Sequence, residues 1–181
     1  MKLLDTLVEE HALIDRVLGA FRTYVGGLGD GAADPDDGRR FMAFFGDFAG
    51  HFHHDREERV LFDALVRHVE LPSDRGPVQA LVREHAEMAQ WLRDMTPLIE
   101  RGPRSGDEVV RLQALATRYS QALWRHIDAE NSVLYPQANE RLVRCGIHGL
   151  PDRQMSDAEA AARAQGAALL EAGERPVTRV G

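Results

Sequence analysis

Four stretches of the chain carry apolar residues at alternating steps of three and four, the spacing that gathers side chains on one stripe of a helix. In the first, Leu4, Leu7, His11, Ile14, Leu18, Phe21 and Val25 fall on one seam, and Gly26, Gly27, Gly29 and Gly31 end it. The second opens at Pro35 behind Asp34 and carries Phe44, Phe48, His51, Glu58, Phe62, Leu65 and Val69 until Pro72 stops it. The third begins near Pro77, places Val78, Leu81, His85, Met88, Leu92, Met95 and Ile99 on its seam, and ends at Gly102 and Pro103. The fourth has Asp107 as its expected N-cap and carries Val109, Leu112, Ala116, Tyr119, Leu123, His126, Glu130 and Val133. It is expected to run to about Cys145 with a kink at Pro136. No strand-like alternation competes, and short connections make successive helices antiparallel neighbours. The pattern predicts an all-α, up-down-up-down antiparallel four-helix bundle over residues 1–148. From 149 to 181 the chain turns Ala-rich and then polar, which predicts a C-terminal tail or a short docked extra helix.

Leucines and phenylalanines on a bundle seam explain themselves, but a histidine or carboxylate there loses water and needs a partner. The chain has eight histidines, of which chance would place about two on seams. His11, His51, His85 and His126 all stand there, with His54 beside them, and Glu58 and Glu130 share the seams. An ionised glutamate is costly to bury unless a cation compensates it. Counted at the helical rise, His11, His54, Glu58, His85, His126 and Glu130 reach a common level of the bundle. In the pairs His54/Glu58 and His126/Glu130 the two residues are four apart, so they lie one turn above each other and face one ion or adjacent ions.

These six residues are the expected metal ligands. Imidazole with carboxylate and no thiolate suits iron, ahead of manganese or zinc. A carboxylate can bridge two ions through its two oxygens, so Glu58 and Glu130 are expected to lie between two irons capped by histidines. His51, Asp55 and Tyr119 are candidates for an additional or supporting contact: His51 lies one turn before His54, Asp55 follows it, and Tyr119 lies two turns before His126. His53 is expected to point sideways toward a neighbouring helix or solvent, and Glu57 to be solvated.

Composition narrows the partners. The formal net charge is −7, which opposes the clustered lysines and arginines that a nucleic-acid footprint needs. The single cysteine, Cys145, cannot form an internal disulfide, and no long uncharged apolar run follows the acidic-interrupted N-terminus. A cytoplasmic setting is expected, with neither a membrane nor a nucleic acid as partner. There is no Glu-x-x-His pair of the ferritin-like oxidases, no His-Glu-x-x-His, no Gly-rich phosphate loop and no Gly-x-Ser-x-Gly elbow.

The segments Glu-Glu-His11, His53-His54-Asp-Arg-Glu-Glu58-Arg-Val-Leu-Phe, Arg-Glu-His85-Ala-Glu and His126-Ile-Asp-Ala-Glu130-Asn, in this order on successive helices, resemble the motif blocks of hemerythrin-like, HHE cation-binding domains. The resemblance covers about residues 3–145. It implies a non-haem di-iron centre that binds dioxygen or related small oxidants such as nitric oxide or peroxide, with Glu58 and Glu130 similar to the family's bridging carboxylates. Sensing, sequestration or detoxification would follow. The alternatives are a di-iron enzyme acting on peroxide or nitrogen oxides, and an iron storage or delivery protein. The oxygen-carrying members have a second histidine four residues before the one on the third helix, where this chain has Leu81. One ligand is therefore missing or replaced.

Overall fold

The computed structural model describes residues 1–30 and 33–173. They form helix α1 (Lys2–Gly27), a 3₁₀ turn (Leu28–Asp30), α2 (Pro35–Ala43), α3 (Asp63–Val69), α4 (Gly76–Arg101), α5 (Gly106–Ala129), α6 (Tyr135–Arg144) and α7 (Asp157–Gly173). The stretches between α2 and α3 and between α5 and α6 are helical too, but they contain π-helical segments at Phe44–His54, Glu57–Phe62 and Glu130–Leu134. Among the described residues every element is helical.

The helix ends follow local chemistry. The Asp34 carboxylate accepts the Asp36 backbone N–H at 2.9 Å ahead of Pro35, which has no N–H to satisfy in the first turn. Helix α3 stops where Glu70 takes the left-handed conformation, φ 56°. The N-cap of α5 is Ser105, whose hydroxyl accepts the Glu108 N–H at 3.3 Å, and not Asp107, which lies inside the first turn. Pro136 likewise does not kink a continuous α-helix. It sits in the first turn of α6, behind the π segment that makes the break.

The apolar interior is divided in two. The smaller cluster joins Leu3, Leu4 and Leu7 of α1 to Leu61 and Leu65, to Val78 and Leu81 of α4, and to Tyr135 and Leu142 of α6. The larger joins Ile14 to Val25 of α1 with Phe41 to Phe52, Met88 to Ile99 of α4, and Leu112 to Ile127 of α5. Each long helix contributes to both, and at the crossing from one cluster to the other each carries polar residues: His11, the 53–57 stretch, His85, and His126 with Glu130. A polar layer thus lies across the bundle with apolar packing on both sides.

The Ala-rich stretch forms a docked helix. Ser156 and Glu159 cap α7 reciprocally, the Glu159 N–H donating to the Ser156 hydroxyl at 3.3 Å and the Ser156 N–H to the Glu159 carboxylate at 2.7 Å. Ala162 and Leu169 enter the larger apolar cluster. Gly166 allows the approach, because a Cβ there would overlap the Phe44 ring.

Candidate metal centre

The π-helical winding decides which side chains enter the polar layer. In a π turn the hydrogen bond reaches back five residues and one extra residue is accommodated. Each such insertion turns the following side chains by about 100° relative to an α-helical count. Along the second long helix the buried positions from Phe44 to Phe62 run Phe44, Phe45, Phe48, Ala49, Phe52, His53, His54, Arg56, Glu57, Leu61 and Phe62. His51 and Glu58, which an α-helical count puts on the seam, leave it, and His53 and Glu57 enter. The Glu130–Leu134 segment acts in the same way, turning Tyr135 inward and leaving Val133 about half exposed.

The layer contains two groups of ligand atoms, His11, His53 and Glu57 in one, His54, His85, His126 and Glu57 in the other. Within the first, the Nε2 atoms of His11 and His53 are 2.9 Å apart. Within the second, those of His85 and His126 are 2.8 Å apart, and the His54 ring stacks on His85 at 3.9 Å. Glu57 lies between the groups. Its Oε1 is 3.5 Å from His53 Nε2 and its Oε2 is 3.4 Å from His85 Nε2. Glu130 is placed similarly, with Oε2 at 3.3 Å from both His11 Nε2 and His126 Nε2.

A ring of acceptors surrounds these groups and orients the imidazoles. The Nδ1 atom of His11 lies 2.9 Å from the Asn131 amide oxygen, and those of His53, His85 and His126 lie 2.8 Å from the carboxylates of Glu10, Glu58 and Glu84. A carboxylate or amide oxygen accepts, so each Nδ1 carries the proton and donates. In the neutral tautomer the Nε2 atom then bears a lone pair. Two facing Nε2 lone pairs at 2.8–2.9 Å cannot hydrogen-bond each other, whereas a cation between them satisfies both.

The carboxylates make the same demand. Glu57 and Glu130 are fully buried, and Glu57 Oε2 with both Glu130 oxygens has no hydrogen-bond donor. Buried acceptors without donors are rare and costly. In the metal-free site burial, reinforced by the Glu130 charge, pushes the Glu57 carboxyl up to about 8, and burial holds Glu130 well above the carboxylate range. Burial also drives His126 down to about 2 and keeps His53 and His54 far below their usual range. The site therefore offers neutral imidazoles and anion-capable oxygens, the protonation states that a metal ion selects. The residues present fit a pair of cations.

Five of the sequence-expected ligands, His11, His54, His85, His126 and Glu130, come together in the layer. Glu58 does not. It is 37% exposed and holds His85 Nδ1 from outside, while Glu57, expected in solvent, takes the central place. His53 is likewise inside the layer, not at its side. His51 is 79% exposed beside Asp47, and Asp55 pairs with Arg59 and Arg153 on the surface. Tyr119 packs edge-on against Phe45 at 5.3 Å within the larger apolar cluster. The phenol at the centre is that of Tyr135, which donates to Glu57 Oε1 and stacks on His11 at 5.5 Å between ring centroids. Leu81 stays in the apolar cluster, and on the His85 side the further imidazole comes from His54. The doublets His53-His54 and Glu57-Glu58 were the available signal: the winding brings both histidines into the layer and, of the glutamates, Glu57.

A cleft of about 800 Å³ runs between α4 and the α5/α6 helix. Trp91, Val133 and Leu134 line it, and its wall includes Leu81 and Glu84, the latter holding His126. No helix among the described residues is long and apolar enough to cross a membrane. No curated protein and no solved structure matches the chain. The model of the hemerythrin HHE cation-binding domain matches residues 2–138, the span that contributes every imidazole and carboxylate of the polar layer. On that match the chain belongs to the hemerythrin HHE cation-binding family.

Proposed function

We propose that this chain is a non-haem di-iron protein that binds dioxygen or a related small oxidant, nitric oxide or peroxide, for sensing, sequestration or detoxification. The observation that carries this reading is the pair of buried carboxylates, Glu57 and Glu130, whose donorless oxygens lie between two sets of imidazole nitrogens. His11 and His53 would hold one iron and His54, His85 and His126 the other, with both glutamates shared. Bound iron would supply a redox-active Lewis acid. The chain's own groups orient and insulate: Glu10, Glu58, Glu84 and Asn131 hold the imidazole protons, and the two apolar clusters exclude water. The apolar cleft beside Leu81 and Glu84 offers a small uncharged molecule a place to dock next to the acceptor of His126.

The distribution of helix halves between the two apolar clusters supports an up-down-up-down course for the four long helices, with α7 as an added fifth. A cytoplasmic setting agrees with one exposed, unpaired cysteine.

The test is elemental analysis after iron-replete expression, followed by visible spectra under anaerobic, air-exposed and peroxide-treated conditions. Two irons per chain and a reversible colour change on exposure to air are expected. Stoichiometric zinc or no metal would refute the reading. Steady peroxide turnover would make the protein an enzyme.

A further inference from the structure

The family match ends at residue 138, yet a residue beyond it is wired into the centre. Arg56 is buried, with 1% of its side chain exposed, and is held from both sides. Its Nη1 donates to both oxygens of Glu10 at 2.6 and 2.8 Å, and its Nε and Nη2 donate to the two oxygens of Asp152 at 2.8 and 3.0 Å. Glu10 in turn accepts the Nδ1 proton of His53 at 2.8 Å. A continuous line of charge-assisted hydrogen bonds therefore runs from the C-terminal segment through Arg56 and Glu10 to an imidazole of the first ligand group.

Asp152 is held in place by its own surroundings. Next to it Arg153 grips Glu159 with two bonds at 2.7 and 2.8 Å and donates to the His51 carbonyl at 2.7 Å. The guanidiniums of Arg56 and Arg153 lie over the Phe52 ring at 4.4 and 4.7 Å. Ile147 and Leu150 pack on the smaller apolar cluster, and α7 packs on the larger. The segment is thus anchored on both sides of Asp152.

We propose that Asp152 is a positioning residue for the iron held by His11 and His53, so that docking of the C-terminal segment tunes that iron and leaves the other alone. The proposal rests on the di-iron reading above. The physical reason is charge sharing. With two carboxylates on one guanidinium, Glu10 keeps enough negative charge to draw on the His53 proton, which raises the donor strength of His53 Nε2. Without Asp152 the whole Arg56 charge falls on Glu10, its hold on His53 slackens, and the first iron is bound less tightly. The imidazoles of the second group reach different acceptors, Glu58 for His85 and Glu84 for His126, and are not in this line.

The experiment follows iron release from the loaded full-length protein to an excess of ferrous chelator under anaerobic conditions, with circular dichroism recorded alongside. Removing a ligand's hydrogen-bond partner commonly costs ten- to a hundredfold in metal affinity, and Asp152 stands two hydrogen bonds beyond that partner, Glu10, so the lower end, about tenfold, is expected. Asp152→Asn should speed release of one iron about tenfold and leave the other at the wild-type rate, and Asp152→Glu should restore it. Arg153→Ala removes the Glu159 and His51 contacts that anchor the same segment without touching Arg56, and should speed release of the same iron by less than Asp152→Asn does. Wild-type release from Asp152→Asn, acceleration of both irons by it, or failure of Asp152→Glu to restore the wild-type rate would overturn the proposal alone. A wild-type chain that takes up fewer than two irons would overturn the di-iron reading and the proposal with it.

Discussion

Glu57→Gln separates the demands of folding from those of metal binding. In the metal-free protein the Glu57 carboxyl titrates at about 8, against 4.5 for an exposed glutamate, because it is buried between imidazoles and beside Glu130. The folded state therefore keeps a proton that the unfolded chain releases. Below pH 4.5 both states are protonated and the difference costs nothing. From 4.5 upward stability falls by about 1.4 kcal/mol per pH unit until the folded carboxyl ionises near 8, which amounts to about 3 kcal/mol at pH 7. Glutamine keeps the shape and the bond from Tyr135, and its amide can donate to His85 Nε2, which now faces Oε2 at 3.4 Å. The metal-free variant should accordingly melt higher than wild type at pH 7, by about 6–12 °C at the 2–4 °C per kcal/mol usual for this chain length. The gain should shrink toward zero at pH 4.5 and level off above pH 8. Iron reverses the order. A neutral amide cannot bridge two cations, whereas each ion held a hundredfold above its dissociation constant adds about 3 kcal/mol to wild type. Thermal unfolding with chelator, and with ferrous iron under anaerobic conditions, reads both halves. A metal-free variant no more stable than wild type at pH 8, or equal stabilisation of the two by iron, would refute the reasoning.

Three further outcomes can be checked on purified variants. Tyr135→Phe should alter the visible spectrum of the iron-loaded protein, because its hydroxyl bonds Glu57, while Tyr119→Phe, in the apolar cluster, should leave it unchanged. The reverse pattern would show that the inward phenol has been misassigned. His53→Ala should reduce iron content measured by elemental analysis, and the exposed His51→Ala should keep the wild-type value. Gly166→Val should displace α7 from Phe44 and lower the melting temperature by an amount equivalent to about 1–3 kcal/mol, the usual cost of overpacking. An unchanged melting temperature would mean that α7 adds little to the folded core.

Much of the molecule was legible in the order of its residues. The three-and-four spacing of Leu4 to Val25 or Val78 to Ile99 leaves a helix little alternative, because only that winding buries the apolar side chains together. Asp34-Pro35 marks a helix start through a hydrogen bond made within one turn. His11, His85 and His126 were visible as polar residues on apolar seams, since burial without a partner is too costly to be casual. Periodicity left His53 out although it enters the layer beside His54, and pointed to Glu58 and Tyr119 where Glu57 and Tyr135 reach the centre. Those choices depend on π turns, whose one-residue insertions leave no mark in a 3.6-residue count and are maintained only by what the layer as a whole requires. The same holds for Asp152. It is 96 residues from Arg56 in sequence, and only the return of the chain over the bundle brings the two together.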